Sequence, residues 1–177
     1  MSKEEKQENN LDIQANMELY RKLGTPGEQH KLLASLTGSW KVRVKSWTES
    51  DKPPMESLGT CEQKMVLGGR FLQQDFSGDM LGTKFNGIGI TGYDNYAKKY
   101  VSTWIDSMGT GILFFEGIDS TSNKTIIQEC HHHDPARGAI TWRSVTTIID
   151  DSTWMFEMYS TYDNGKEAKG MEIIYER

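Results

Sequence analysis

The sequence predicts an all-β fold: a closed, up-and-down antiparallel β-barrel of about ten strands, with one or two short N-terminal helices. After Trp40 the chain alternates apolar and polar residues with period two and is rich in β-branched and aromatic residues. Short turn-forming segments interrupt this pattern, as expected for sequential hairpins. Because an open sheet of this many strands would expose two edges, closure is favoured, and a strongly bent open sheet is the alternative.

The N-terminal segment predicts a polar tail followed by a helix. Residues 1–10 are almost wholly polar, and a segment of this composition buries too little apolar surface to offset the entropy lost on ordering. We therefore predict a disordered tail there. Apolar residues recur at four-residue spacing from Leu11 to Leu23, which predicts a helix that ends at Gly24.

A second helix is predicted immediately before the strands. Thr25 is its expected N-cap, Pro26 suits its first turn, and the apolar face continues through Leu36. Both helices thus lie within 11–36, where they could cover one end of the barrel. Residues 11–177 are expected to form a single domain.

Ten segments after the helices carry the strand pattern. They are Trp40–Glu49, Glu56–Val66, Arg70–Ser77, Phe85–Tyr93, Tyr100–Ser107, Gly111–Ile118, Lys124–His131, Ala139–Ile149, Thr153–Tyr162 and Glu167–Arg177.

Composition and charge argue against several classes of protein. The 177 residues hold 20 Lys and Arg against 25 Asp and Glu, a net charge of −5, and the basic residues are scattered, so no nucleic-acid partner is predicted. The apolar runs are far shorter than the roughly 20 residues of a membrane helix, and the N-terminus is charged. We therefore predict no membrane partner and a cytoplasmic location. Cys61 and Cys130 are most simply reduced residues within strands.

Five blocks of the sequence together resemble the DUF1579 family. They are Leu36–Trp40, Val66–Leu72, Gly89–Asp94, Tyr100–Met108 and Met171–Arg177. The resemblance runs from roughly residue 28 to the C-terminus. It implies a lipocalin-like, or calycin-like, barrel, in agreement with the periodicity. It implies no substrate, cofactor or catalytic residue.

The first and last strands predict how the barrel closes. Alternation places Met171, Ile173, Tyr175 and Arg177 on one face of the last strand, and this face is expected to point inward. Arg177 would then stack on Trp40 at the start of the first strand, in a cation–π contact that joins the two strands.

Tyr93, Trp104 and Asp106 are candidate ligand-binding residues. Trp104 and Asp106 share one face of the fifth candidate strand, and an aromatic surface beside a carboxylate suits an apolar ligand with one polar group. The alternative is structural: Trp104 fills the core, and Asp106 accepts backbone hydrogen bonds at the following turn.

Arg143 and Glu157 complete the predicted ligand site. Arg143 is either a surface charge or an inward anion clamp for a carboxylate-bearing ligand such as a fatty acid. An inward guanidinium would need a partner, for which Asp106, Glu129 or Glu157 are available.

No metal ion or other cofactor is predicted. In the run His131–Asp134, alternation brings only two imidazoles to one face, whereas a catalytic zinc site needs three protein ligands, and the run is expected to enter an exposed turn. Haem, which a barrel histidine binds in the related nitrobindin class, finds little support here, because His30 is the only other histidine.

No catalytic residue is predicted either. The chain has no Gly-x-Ser-x-Gly motif. The glycines between Gly87 and Gly92 are spaced like those of a nucleotide-binding loop, but no helix pattern follows them. We interpret them as allowing a barrel strand to coil sharply.

Three hypotheses for function follow. The favoured one is a barrel that binds a small apolar or amphipathic molecule in its interior. The second is a barrel enzyme with Asp106 or Glu157 as a base. The third is a self-associating structural module, such as a homodimer, in which Trp47, Phe115 or Trp142 packs against a second copy.

Overall fold

A computed structural model describes residues 3–49, 51–80, 82–118, 124–135, 138–162 and 165–177. Within them, helices α1 (Lys3–Leu23) and α2 (Glu28–Ser35) precede the strands. The strands are β1 (Gly38–Ser46), β2 (Met55–Val66), β3 (Phe71–Met80), β4 (Thr83–Asp94), β5 (Lys99–Asp106), β6 (Leu113–Ile118), β7 (Thr125–Asp134), β8 (Gly138–Asp150), β9 (Thr153–Tyr162) and β10 (Glu167–Glu176). Each corresponds to one predicted segment.

The ten strands form one closed antiparallel barrel in up-and-down order. Each strand pairs with its neighbour in sequence, and β1 pairs with β10 in a register that places Val42 opposite Tyr175 and Val44 opposite Ile173. The predicted closed barrel is therefore confirmed. A single irregularity between Lys169 and Met171 adjusts the pairing of β10 with β9.

The two ends of the barrel differ. At the end where β1 begins, α2 packs over the strands, with Leu33 fully buried and Leu36 almost so. We call this the closed end. At the opposite end, β1 finishes at Ser46 and β5 at Asp106, and neither described helix packs against the strands there. We call it the open end for that reason.

Side chains alternate between the interior and the outer surface along each strand, as period two requires. In β1 the inner residues Trp40, Val42 and Val44 are buried and the intervening ones are not. In β10, Ile173 and Tyr175 are buried, as predicted from the alternation. Most of the packed core lies near the closed end, where α2 covers it.

The seam between the first and last strands is locked at the closed end. The guanidinium of Arg177 lies 4.4 Å from the ring centroid of Trp40, which confirms the predicted cation–π contact. Arg177 also donates hydrogen bonds to two backbone carbonyls, from Nη1 to Thr37 at 2.9 Å and from Nε and Nη2 to Asp151. The Trp40 indole donates to the Leu36 carbonyl at 2.9 Å. One side chain thus links the start of the first strand to the end of the last strand.

The helices begin at different residues from those predicted. α1 begins at Lys3, within the segment predicted as a tail. Gly27, not Thr25, is the N-cap of α2: its N–H donates to Nδ1 of His30 at 3.0 Å. The Thr25 hydroxyl donates instead to the Arg21 carbonyl of α1 at 2.7 Å. The cap therefore depends on a neutral His30.

Replacing Arg177 with Ala is expected to lower the free energy of unfolding by about 1–3 kcal/mol, because it removes the cation–π contact and the carbonyl hydrogen bonds together. Urea unfolding measures the change. The control is Arg43→Ala, which breaks an exposed ion pair to Glu176 at 3.4 Å and should cost less than about 0.5 kcal/mol. Equal losses in the two variants would contradict a special role for the seam.

His30 is expected to make stability depend on pH. Burial, with a smaller contribution from Arg70, holds the pKa of His30 below its ordinary value. As the pH falls, the unfolded chain therefore takes up a proton at this imidazole first, at about pH 6.5, while the folded chain keeps it neutral. The contribution of His30 is therefore complete above that pH and declines as the pH falls towards the lowered native pKa.

Substituting His30→Gln should flatten this decline between pH 7 and pH 5, because glutamine can accept the Gly27 N–H without titrating. His133→Gln, at an exposed histidine, is the matched control. Chemical unfolding at each pH gives the comparison. The same slope in wild type and the His30 variant would refute the assignment.

Candidate functional site

Apolar side chains line the barrel interior towards the open end. Several inner-facing side chains there stay partly exposed, in contrast to the buried residues at the closed end. They are Phe85, Trp104, Leu113, Trp142, Met158 and Met171. All six are apolar or aromatic. A ten-stranded barrel is wide enough to hold a small ligand, and this lining suits an apolar one.

Trp104 occupies a recess made by two glycines of β4. A Cβ atom at Gly87 would overlap the six-membered ring of Trp104, and one at Gly89 would lie 3.2 Å from the indole Cε3. From the sequence, these glycines were expected to allow the strand to coil sharply. The structure adds a direct reason for them: they make room inside the barrel for the indole of the neighbouring strand.

Asp106 orients Trp104. The indole Nε1–H donates to Oδ2 of Asp106 at 2.9 Å, and the backbone N–H of Met108 donates to Oδ1 at 2.9 Å. Both carboxylate oxygens thus have neutral donors, as in the structural alternative from the sequence. Contact of Trp104 and Asp106 with a ligand remains a prediction.

Tyr93 is not near the other candidates. It faces the interior, but it pairs with Tyr100 at the closed end, and the two rings meet edge to face with centroids 5.0 Å apart. The ring of His30, in α2, also meets the Tyr93 ring edge to face, with the ring centroids 6.2 Å apart. The sequence grouped Tyr93 with Trp104 and Asp106 as ligand-binding candidates, but the strand pattern could not show which end of the barrel Tyr93 occupies.

Arg143 lies on the outer wall, so the geometry matches the surface alternative and not the anion clamp. Its guanidinium donates two hydrogen bonds of 2.8 Å to Glu167 and stacks over Tyr159 at 4.4 Å. The hydrogen bonds to Glu167 raise the pKa of Arg143. This pairing keeps the guanidinium out of the interior.

Glu157 also points outward, away from the interior. It forms an ion pair with Lys169 at 2.5 Å and accepts a hydrogen bond from the Tyr159 hydroxyl at 3.0 Å. Lys169 also pairs with Glu172 at 2.7 Å. Burial opposes the charge on Lys169, but the two carboxylates together raise its pKa. The sequence-predicted site is therefore divided between the interior and the outer surface.

Two of the aromatic residues predicted to pack against a second copy face the interior. Phe115 is buried, and Trp142 stacks on His132 with the ring centroids 5.3 Å apart. Trp47 lies outside, with Lys169 5.7 Å from its ring centroid. The possible homodimer stays a prediction, but Phe115 and Trp142 cannot form its interface without leaving the barrel.

The histidine run remains in β7 instead of entering a turn. His132 takes the inner position and His131 the outer one, where its ring hydrogen-bonds to the Thr141 hydroxyl at 3.0 Å. Among the residues that the structure describes, no three His, Cys, Asp or Glu side chains are placed to hold a metal ion. Within the same residues, no helix is long and apolar enough to span a bilayer.

Uncharged side chains that form hydrogen bonds lie on the inner wall of the barrel, and they were not among the residues predicted from the sequence. Thr91 and Ser102 hydroxyls lie 2.9 Å apart, and Ser102 donates to Oε1 of Gln128 at 2.9 Å. On the neighbouring strand β3, Gln74 donates to the Tyr175 hydroxyl of β10 at 3.0 Å. The signal was present in the sequence, as glutamines at positions of the inner, apolar phase of their strands.

Two inner amides and the indole Nε1 of Trp154 are not satisfied within the described residues. Gln63 and Gln128 are 5% and 7% exposed, yet Oε1 of Gln63 and Nε2 of Gln128 have no hydrogen-bond partner among the described residues. Nε2 of Gln63 makes only a long contact to the Cys61 sulfur at 3.6 Å. Because an unsatisfied buried polar group costs roughly 1–3 kcal/mol, both atoms mark places where a further group would be stabilised.

The outer wall also has a depression of about 340 Å³, lined by Arg43, Glu56, Ser57 and Leu58. It is open to solvent, and Leu58 is 73% exposed. A ligand there would bury little of its surface, so the interior is the stronger candidate.

The chain was compared with solved structures, curated proteins and family models. Rv2717c from M. tuberculosis has a similar fold, with 14% identity, a TM-score of 0.60 and an alignment that covers 83% of this chain and 95% of that one. A redesigned beta barrel aligns at 13% identity and a TM-score of 0.44, over 82% of this chain and 94% of the other. No curated protein matches. The family model described as "Protein of unknown function (DUF1579)" matches residues 25–177, and the chain therefore belongs to the DUF1579 family.

Proposed function

We propose that this protein binds a small, largely apolar molecule inside the barrel and admits it through the open end. The observation that carries the proposal is the partial exposure of the inner apolar side chains near that end, beside a closed end that is packed. Apolar surface in contact with water inside a barrel favours occupation by an apolar ligand.

The position of Trp104 supports the same proposal. Its indole is held against Gly87 and Gly89 by the hydrogen bond to Asp106, so it presents a fixed aromatic surface with little conformational entropy left to lose. Trp104 is also partly exposed inside the barrel, so a ligand can reach it. A preformed aromatic wall of this kind is typical of small-molecule sites.

Filling the interior should abolish binding. We expect Met158→Trp, at an inner position of β9, to weaken binding of the neutral fluorescent probe N-phenyl-1-naphthylamine at least about tenfold, because the added ring occupies the space of the probe. Fluorescence titration measures the dissociation constant. Met155→Trp, three residues earlier on the outer face of the same strand, is the matched control and should bind the probe as wild type does.

Leu113→Trp provides a second inner variant if Met158→Trp fails to fold. Circular dichroism and unfolding establish folding for each variant. The proposal predicts that both inner variants lose the probe. It is refuted if wild type binds no probe, or if the inner and outer tryptophans have the same effect. Native mass spectrometry of freshly purified protein provides an independent test by comparing the intact mass with the denatured chain mass.

A further inference from the structure

We infer that the interior site selects a neutral amphipathic molecule, whose uncharged polar head hydrogen-bonds to one inner amide, as acceptor at Gln128 or as donor at Gln63, and whose apolar body lies towards the open end. This inference rests on the proposed binding function and specifies the ligand class. Alcohols and amides satisfy it, whereas fatty acid anions and alkyl ammonium ions do not.

The donor side of the site is Gln128. Its Oε1 already accepts a hydrogen bond from Ser102, and this contact orients the amide so that the Nε2 group is left without a partner in the described residues. Ser102 in turn lies 2.9 Å from Thr91, and both hydroxyls are partly exposed inside the barrel. A carbonyl or hydroxyl oxygen of a ligand would satisfy the free amide donor.

The acceptor side is Gln63, on the opposite wall. Its strand, β2, is five strands away from β7 in either direction around the ten-stranded barrel. The free atom here is Oε1, and its neighbour Gln74 directs its own amide donor to Tyr175. An O–H or N–H of a ligand would satisfy Oε1. A neutral head group that can accept or donate a hydrogen bond therefore matches either of the two unpaired amide atoms.

The charges of the wall exclude an anionic head. Along the strands that the structure describes, every Lys and Arg takes an outer position; examples are Lys45, Arg143 and Lys169, which pair with outer carboxylates. A carboxylate inside the barrel would thus lose its water without gaining a cation. The inner wall offers Asp106 near the open end, which opposes an anion further.

A cationic head is disfavoured for a different reason. Both oxygens of Asp106 already accept hydrogen bonds, from the Trp104 indole and the Met108 N–H. Deeper in the barrel, the inner groups Gln63, Gln128 and Ser102 carry no charge. An ammonium group at that depth would be desolvated without a counter-ion.

The test is displacement of N-phenyl-1-naphthylamine at pH 7.4 by four ligands with the same ten-carbon chain: 1-decanol, decanamide, decanoate and decylamine. We expect decanol and decanamide to bind at least about tenfold more tightly than decanoate and decylamine. Gln128→Leu should weaken decanamide about five- to tenfold, as expected for one lost hydrogen bond.

Gln73→Leu is the matched control, because Gln73 is an outward amide of β3 that donates to Asp75. It should leave all four affinities unchanged. Gln63→Leu supplies a second inner variant if Gln128→Leu fails to fold. Equal or tighter binding of decanoate or decylamine overturns the inference while probe binding upholds the proposed function. Loss of probe binding in wild type refutes the proposed function itself. Unchanged decanamide affinity in the inner variants also overturns the inference.

Discussion

The pairing of β1 with β10 is the constraint on which the rest of this structure depends. It removes both edges of a ten-stranded sheet and so converts the sheet into a container. Arg177, which follows β10, stabilises this seam. It stacks on Trp40 and donates hydrogen bonds to the backbone carbonyls of Thr37 and Asp151. Because side chains alternate with period two, the register at this seam also decides which residues of β1 and β10 face inward.

Closure separates charge from the interior. Ion pairs run across the outer wall, where Lys169 links Glu157 of β9 to Glu172 of its own strand and Arg143 reaches Glu167. These groups keep much of their solvation there, which a charge moved inside would lose. The interior is left with apolar side chains and with amides and hydroxyls, whose desolvation costs less than that of an ion. The interior is therefore apolar and uncharged because the charged side chains lie on the outer wall.

Much of the fold could be predicted from the sequence, because alternation and turn residues are local signals. All ten strands, the closure and the Trp40–Arg177 contact follow from them. The predicted start of α2 was wrong. Thr25 is a residue type that favours N-caps, but the actual cap is Gly27 with His30, whose role depends on its burial. Packing, not propensity, decided that position.

The site could be predicted only in part, since alternation fixes a face relative to its own strand and not a position along the barrel. Trp104 and Asp106 were placed together because they share one strand. Tyr93 could not be assigned to the closed end, and Arg143 could point either way, until the pairing of β8 with β9 set its face. The recess for Trp104 depends on glycines in a neighbouring strand, a relation that no single strand pattern contains.

The unsatisfied glutamines lower the stability of the barrel, and this cost bears on the binding function that we propose. A core selected for stability alone would carry leucine at these positions, because an apolar side chain of similar size avoids the cost of an unpaired amide. Gln63 and Gln128 instead keep one free acceptor and one free donor among buried neighbours. Violations of this kind concentrate at functional sites, where a bound group restores the missing hydrogen bonds. On the binding function that we propose, the same two residues that cost the folded barrel stability are the ones that distinguish one ligand head group from another.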